Sequence, residues 1–224
     1  KLDYVVTISE ECEAVLKKEF NNLNERVKVI RNIVSPSTIK KMSVESIDIL
    51  KDDYEKLIVS IGRLSHEKGF DIAIKACKIL KNKGVKVKWI VVGDGPERNL
   101  LEKLIDENKV KCEFLLIGAT SNPYKYLSKA DIYVQPSRFE GKSIAMDEAK
   151  ILNKPIVATN FSTVKDQIID KVDGIITEMN SEDLARGIMK LLFDSNLKIS
   201  IENNLKKLKL GTESEIYKLY DLID

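Results

Sequence analysis

Two glutamates, Glu140 and Glu148, carry the most specific chemical signal in the sequence. Glu140 lies in a predicted loop, and Glu148 lies about a turn and a half inside a helix predicted from about Ser143. The start of a helix presents unpaired N–H groups and a positive dipole end to an anion. Two carboxylates beside such amides suit a ligand that carries both phosphate and hydroxyl groups. The alternative is that both acids are ordinary surface charges.

A second pattern is the stretch GRLSHEKG at positions 62–69, which follows a predicted buried strand. Its two cations, Arg63 and Lys68, lie five positions apart across a loop and are able to converge on one anion. An arginine fork and a lysine point charge together suit a diphosphate. The alternative pairs them with Glu67 or leaves them in solvent, which is usual for loop charges.

These loops are positioned by a regular alternation of strands and helices. Strands are predicted at Leu57–Gly62, Lys86–Gly93, Cys112–Ile117, Ile132–Gln135, Ile156–Thr159 and Gly174–Ile176. Helices are predicted at Phe70–Lys81, Pro96–Asn108, Pro123–Ser128, Ser143–Leu152, Val164–Ile169, Ser181–Phe193, Leu197–Leu208 and Glu213–Ile223. Strands such as LIVSIG and WIVVG are apolar on both faces, which indicates a parallel sheet covered by helices on both sides. The sequence therefore predicts a doubly wound, Rossmann-like α/β fold whose ligands bind at the carboxyl ends of the strands.

A separate strand–helix–strand pattern precedes this domain. Its elements are predicted at Tyr4–Ile8, at Glu10–Phe20 with Ser9 as the N-cap, and at Val27–Ile30. The polar stretch that follows predicts a connection. We therefore divide the chain into a βαβ segment at 1–34, a linker at 35–55, the main domain at 56–210 and a C-terminal helix at 211–224.

Composition excludes several classes of protein. Hydrophobic residues make up 43% of the chain and charged residues 32%, which is ordinary for a soluble globular protein. The formal net charge of +2 gives no reason to expect a nucleic-acid partner. Cys12, Cys77 and Cys112 lie far apart in apolar segments and are predicted to be reduced core residues. His66 is the only histidine, so no histidine-based metal site is predicted. No apolar run reaches the length of a membrane span and no signal peptide is apparent; the chain begins with Lys1, and we expect it to be a piece of a longer protein.

The segment QPSRFEGKSIAMDEAKILNKPIVAT, at 135–159, resembles the signature of family 4 glycosyltransferases. Its E-G-x(6)-E pattern follows Pro-Ser and precedes a Lys-Pro strand start. Many members of the family have an aromatic residue and a glycine where this chain has Lys142 and Ser143. These enzymes are retaining glycosyltransferases of the GT-B fold, and the segment lies in their C-terminal, nucleotide-sugar-binding domain. The loop at 62–69 is similar to the family's diphosphate-binding loop, and G-x-G-P at 93–96 lies along its nucleotide-binding cleft.

The resemblance implies a role for each matching residue. Arg63 and Lys68 would stabilise the departing nucleotide, Glu140 would hold hydroxyls of the donor sugar, and Glu148 would accept the ribose hydroxyls. The residues assigned to catalysis are Arg63, Lys68 and Glu140. The residues assigned to substrate binding are Gly62, Gly93, Ile117, Gly118, Glu140, Gly141, Lys142, Ser143, Ile144 and Glu148. Ile117 and Gly118 would contact the base through backbone groups, whereas Gly93 either approaches the ligand closely or makes a structural turn. Ser143 also suits the N-cap of the following helix.

The implied reaction moves a sugar from a nucleotide-diphosphate sugar, such as a UDP-sugar, to an acceptor hydroxyl, with retained anomeric configuration. Its setting would be the synthesis of cell-surface polysaccharide or glycolipid. The expected partners are the donor, a glycan or lipid-linked acceptor and the N-terminal domain of the same polypeptide, of which 1–34 would be the tail. No cofactor and no metal are expected. The implied location is the cytoplasm, with a peripheral contact at the inner face of the membrane. This chain alone is expected to bind the donor but to lack full transfer activity.

Two alternatives stay open on the sequence. A nucleotide-sugar epimerase of GT-B fold shares the donor cleft but transfers to no acceptor. A non-catalytic module would bind a nucleotide sugar without turnover. A dinucleotide dehydrogenase is disfavoured, because the G-x-G at Gly93 lacks its third glycine.

Overall fold

The computed structural model describes residues 3–8, 10–20, 26–47 and 54–223. Its chain divides into two compact units. The smaller unit comprises Lys1–Pro36 and Leu210–Asp224, and the larger comprises Ser37–Lys209. In the described part of the chain, no helix is both long enough and apolar enough to cross a membrane.

The smaller unit is built around a parallel strand pair. Strand β1 (Val5–Thr7) is followed by helix α1 (Glu10–Glu19) and strand β2 (Val27–Val29), and β1 pairs with β2 in parallel. The predicted strand–helix–strand is confirmed, while the Ser9 cap lies outside the described residues. Helix α10 (Glu215–Ile223) belongs to the same unit, where the Glu215 carboxylate accepts a hydrogen bond from the Arg31 N–H at 3.0 Å.

The segment predicted as a linker, 35–55, contains a helix that the sequence analysis missed. Helix α2 runs over Pro36–Met42, with Pro36 at its first position, where a missing N–H costs nothing. Within the larger unit, the Met42 carbonyl accepts a hydrogen bond from Asn122 Nδ2 at 2.9 Å. Ile39 is the one buried residue of this helix, so its apolar pattern is too weak to read as amphipathic. Residues 48–53 of the expected linker lie outside the described part of the chain.

The larger unit holds a six-stranded parallel sheet with the strand order β5-β4-β3-β6-β7-β8. Its strands are β3 (Lys56–Ile61), β4 (Val87–Val92), β5 (Phe114–Leu116), β6 (Ile132–Gln135), β7 (Ile156–Thr159) and β8 (Gly174–Thr177). The order runs outward in one direction from β3 and in the other from β6. The predicted doubly wound α/β fold is confirmed.

Helices cover both faces of this sheet. They are α3 (Phe70–Asn82), α4 (Arg98–Glu107), α5 (Tyr124–Leu127), α6 (Ile144–Ile151), α7 (Val164–Gln167), α8 (Ser181–Phe193) and α9 (Ser195–Lys207). Alternate strand residues enter two separate cores: Ile58 packs with α3, α4, α8 and α9, whereas Leu57 and Val59 pack with α5, α6 and α7. This division explains why the strands read as continuous apolar runs.

Several expectations about local structure are corrected. Strand β5 and helix α10 begin two residues later than predicted, and helix α9 begins two residues earlier. Helix α4 begins at Arg98, two residues later than predicted, because Gly95 and Pro96 belong to the preceding loop. The three cysteines are not all core residues: Cys77 is buried, but Cys12 and Cys112 are exposed. Burial raises the pKa of the Cys77 thiol to about 12.

Candidate functional site

The candidate site lies at the carboxyl ends of the strands, where the strand order reverses between β3 and β6. Such a switch point is the usual ligand site of an open α/β sheet. Hydrogen bonds tie neighbouring loops together there. The Leu64 N–H donates to the Asp94 carbonyl at 3.1 Å, and the Gly93 N–H donates to the Gly118 carbonyl at 2.9 Å. Backbone hydrogen bonds therefore join the loops after β3, β4 and β5 to one another.

Two glycines allow these loops to pack closely. Gly69, which precedes α3, has a φ of +64°, and a Cβ there would lie 2.0 Å from the Pro136 carbonyl oxygen. Gly93 has a φ of +150°, and a Cβ there would lie 1.9 Å from the Gly62 carbonyl oxygen. The close approach that Gly93 permits in this structure is to Gly62, in the loop after β3.

Lys68 and Glu140, 72 positions apart in sequence, form an ion pair at 2.6 Å. Glu140 is only 7% exposed, so the alternative of a solvated loop charge is wrong for this residue. Arg63 is exposed and lies on the same loop as Lys68. Among the described residues, Lys68, Gln135 and Ser137 donate to Glu140, and Arg63 does not. The structure thus joins one predicted cation to one predicted acid.

Glu140 is also the centre of a buried polar network. Its Oε1 accepts hydrogen bonds from Gln135 Nε2 at 2.8 Å and from Ser137 Oγ at 2.7 Å, in addition to the Lys68 ammonium. Gln135 Oε1 in turn accepts from the Tyr133 hydroxyl. Three donors on one oxygen stabilise the charged carboxylate and fix its position. Neither Gln135 nor Ser137 was assigned a role from the sequence, although both precede Glu140 within its motif.

Glu148 has a different environment on α6. It is partly buried, and its Oε1 accepts a hydrogen bond from the Tyr124 hydroxyl of α5 at 2.8 Å. Burial raises the pKa of Glu148, the Tyr124 hydrogen bond opposes that rise, and the charge of Asp147 adds to it. Burial and the Glu148 carboxylate raise the pKa of Tyr124 to about 12, so the phenol stays a neutral donor. No sequence signal singled out Tyr124.

The start of α6 is held by a side chain that the sequence analysis also missed. Gln167 Oε1 accepts from the Ser143 N–H at 2.8 Å, and Gln167 Nε2 donates to the Ser143 carbonyl at 2.9 Å. Ser143 occupies the N-cap position of α6, as predicted, but its hydroxyl makes no capping bond and instead donates to Gln135 Oε1 at 3.2 Å. The N–H groups of the following turn remain the ones that a helix start offers to a ligand.

The other predicted binding residues lie around this arrangement. Gly62 is partly buried beside Lys68. A Cβ atom added to Gly62 would lie 3.5 Å from Lys68 Cδ. Gly141 has open space around it, and Lys142 is exposed and forms an ion pair with Asp147 at 3.4 Å. The remaining three are on the loop after β5 and at the start of α6: Ile117, Gly118 and Ile144.

The fold and the site define a doubly wound α/β domain that offers cations, amides and two carboxylates at its switch point. The family model "Glycosyl transferases group 1" matches residues 43–208. Because that match spans more than half of the chain, the chain belongs to this family.

Two curated relatives that the chain matches are named as glycosyltransferases or sugar transferases. The chain is 25% identical over 257 residues to an uncharacterized glycosyltransferase of Methanocaldococcus jannaschii, covering 99% of this chain and 63% of the relative. It is 28% identical over 208 residues to N-acetylgalactosamine-N,N'-diacetylbacillosaminyl-diphospho-undecaprenol 4-alpha-N-acetylgalactosaminyltransferase of Campylobacter jejuni, covering 92% of this chain and 55% of the relative.

Among solved structures, Anabaena HepE in complex with UDP and glucose is similar in fold. It has a TM-score of 0.77 and 20% identity, over 99% of this chain and 62% of HepE. The chain thus spans between 54% and 63% of the length of the first curated relatives that it matches.

Proposed function

We propose that this chain is the donor-binding domain of a retaining, family 4 glycosyltransferase that takes a sugar from a nucleotide-diphosphate sugar. The observation that carries this proposal is the placement of the Lys68–Glu140 pair and of Glu148 at one end of one sheet. These groups supply one partner for each part of such a donor: the cation for the diphosphate, one carboxylate for the sugar and the other for the ribose.

In this proposal Lys68 and Arg63 offset the charge that develops on the diphosphate as the sugar leaves. A lysine ammonium has three donors, so Lys68 can keep its bond to Glu140 and donate to a phosphate oxygen as well. The N–H groups in the first turn of α6 add to the positive potential. Glu140 holds sugar hydroxyls while its buried partners keep it in place.

Glu148 takes the ribose in this proposal. A partly buried carboxylate that already accepts a bond from Tyr124 is oriented and largely stripped of water. Ribose hydroxyls are neutral donors, and they suit a carboxylate whose partner among the described residues is a neutral phenol and not a cation. The backbone at Ile117 and Gly118 then faces the base, and Gly62, Gly93, Gly141, Lys142, Ser143 and Ile144 line the rest of the donor site.

The acceptor and the location are further parts of the proposal. The Campylobacter jejuni relative is named for a diphospho-undecaprenol substrate, which supports a glycan or lipid-linked acceptor here. Such an acceptor would bring the enzyme to the inner face of the membrane from the cytoplasm. Acceptor binding and transfer would require the N-terminal domain of the same polypeptide, and donor binding would need neither a cofactor nor a metal.

The test is calorimetric titration with uridine, UMP, UDP and UDP-glucose, together with the matching guanine series. We expect affinity to rise sharply when the second phosphate is added, because Lys68 and Arg63 act there. Equal affinity for a nucleoside and its diphosphate, in the series that binds better, would overturn the proposed function. Release of a free epimerised sugar by the longer protein would favour an epimerase instead.

A further inference from the structure

Arg138 connects the two loops on which the proposed function rests, and nothing in the motif assigned it a role. Its guanidinium makes two parallel hydrogen bonds to the Asp71 carboxylate, both at 2.7 Å. The same side chain donates to the His66 carbonyl at 2.9 Å. This fork-to-fork geometry is the strong form of an arginine–carboxylate contact.

The backbone strengthens the same connection. The Arg138 N–H donates to the Glu67 carbonyl at 2.7 Å, and the Phe139 N–H donates to the same oxygen at 3.3 Å. Glu67 directly precedes Lys68, and Phe139 directly precedes Glu140. Both members of the Lys68–Glu140 pair therefore follow backbone that is anchored by Arg138 and its neighbour.

The described partners of the Arg138 guanidinium are groups of the protein, Asp71 and His66. Asp71 lies in the first turn of α3, on the element that follows the Lys68 loop. Burial tends to raise the pKa of Asp71, but the hydrogen bonds and charge of Arg138 outweigh it, so the pKa of Asp71 lies below its ordinary value. Three of the five guanidinium N–H donors are engaged by the Asp71 carboxylate and the His66 carbonyl, so the fork of Nη1 and Nη2 is directed at the protein and not at a donor phosphate.

We propose that Arg138 is a positioning residue: it locks the loop at 62–69 onto the loop at 136–141 and so holds Lys68 where the donor diphosphate binds. This inference rests on the proposed function for the identity of the ligand. Without the lock, the loop must be ordered anew each time a diphosphate binds. That cost resembles the ordering of one flexible side chain and predicts about 2- to 12-fold weaker binding.

The first test compares Arg138→Met, which keeps the apolar stem, with Arg186→Met. Arg186 also pairs with an aspartate, Asp183 at 2.6 Å, but it lies on α8 and serves as the matched control. We expect Arg138→Met to weaken UDP binding by the amount above and to leave uridine binding unchanged. Arg138→Lys should rescue little, because an ammonium cannot reproduce the fork. Equal losses for UDP and uridine, or none for UDP, would overturn the inference.

A double-mutant cycle with Lys68→Ala separates positioning from direct contact. If Arg138 acts through Lys68, Arg138→Met should have almost no further effect in the Lys68→Ala background. Additive losses would mean that Arg138 touches the ligand itself and is not a positioning residue. If Arg138→Met does not fold, Asp71→Asn enters the same cycle, since it keeps the shape of the pair and removes its charge.

Hydrogen exchange in the ligand-free protein tests the lock without any donor. Arg138→Met should speed the exchange of backbone amides at 64–69, whereas Arg186→Met should not. Unchanged exchange at 64–69 would overturn the inference even if UDP binds tightly. If the wild-type protein binds no nucleotide yet exchange responds as expected, the proposed function has failed and the loop lock has not.

Discussion

Glu140 and Glu148 are the same residue type eight positions apart, and the structure gives them opposite surroundings. Glu140 is 7% exposed and receives an ammonium and two neutral donors on one oxygen. Glu148 is partly buried and, among the described residues, accepts a hydrogen bond from the Tyr124 phenol. The charge on Glu140 is balanced by a cation, whereas burial of Glu148 raises its pKa. Spacing in the motif therefore does not determine what each carboxylate can do, because the hydrogen-bond partners of each differ.

The difference also predicts which ligand group each carboxylate serves. Glu140 is paired with a cation that a phosphate can also bind. Substitutions at Lys68 or Glu140 should therefore weaken binding only of ligands that carry the diphosphate or the sugar. Glu148 accepts a hydrogen bond from the neutral Tyr124 hydroxyl. Substitution of Glu148 should therefore weaken binding of any ligand that has a ribose. Substitutions at Lys68, Glu140 and Glu148 distinguish these two effects on ligand binding.

The largest effect is expected from Lys68→Ala. A hydrogen bond to a charged group contributes about 1.5–3 kcal/mol, so binding of UDP should weaken about 10- to 150-fold. Uridine binding, which depends on the Glu148 surroundings, should stay as it is. Calorimetry with both ligands measures the split, and Lys75→Ala, on the exposed side of α3, is the control. Equal losses for the two ligands would remove Lys68 from the diphosphate site.

A smaller and crossed pattern is expected from Glu140→Gln and Glu148→Gln. Each substitution turns a charge-assisted bond into a neutral one, a loss of about 1 kcal/mol or about 5-fold in affinity. Glu148→Gln should weaken UDP and UDP-glucose alike, whereas Glu140→Gln should weaken only UDP-glucose. The reverse pattern, measured by calorimetry on both variants, would exchange the two roles.

The strands and long helices of the larger unit could be predicted because burial on both faces leaves a clear pattern. Buried parallel strands are continuous apolar runs, and β6 and β7 have the predicted bounds. Helix α8, also predicted with its observed bounds, has a clear apolar stripe. Helix α2 was missed because only Ile39 is buried, and the exposed cysteines were misjudged because apolar neighbours do not guarantee burial.

Two charged residues of the candidate site could be proposed from the sequence, but the contact between them could not. Lys68 and Glu140 stood out by motif, yet a pairing across 72 positions leaves no local signal. Tyr124, Gln167 and Arg138 act through contacts made only after the chain has folded, and an isolated tyrosine, glutamine or arginine has no specific pattern. Ser143 occupies the predicted N-cap position, but its hydroxyl does not cap the helix, and Gln167 bonds the Ser143 N–H and carbonyl instead.

A modest effect is expected from the pH dependence of stability. The raised pKa of Glu148 means that its protonated form favours the folded state. This contribution to stability is fully present below the unfolded value, about 4.3, and is lost as pH rises through the higher folded value. Relative to Glu148→Gln, the wild-type protein should therefore lose stability over that interval.

Tyr124→Phe sharpens this prediction. The Tyr124 hydrogen bond lowers the pKa of Glu148, so its removal should extend the interval of loss to higher pH. Urea denaturation at a series of pH values measures the difference between each variant and the wild type. A wild-type protein that gains stability over Glu148→Gln as pH rises would show that Glu148 is better solvated, or paired with a cation, in solution.

The smallest effect, no change at all, is expected when divalent ions are removed. The positive charge proposed for the diphosphate comes from Lys68, Arg63 and the first turn of α6, and no D-x-D pair occurs in the sequence. The UDP affinity should thus be the same with magnesium and with a chelator, and Lys68→Ala should weaken both equally. A metal bridging the diphosphate would instead make UDP binding, but not uridine binding, depend on magnesium. That result would mean that a metal ion, and not Lys68, balances the charge of the diphosphate. The different surroundings of Glu140 and Glu148 would then no longer indicate which of them lies near the phosphate and which binds the ribose.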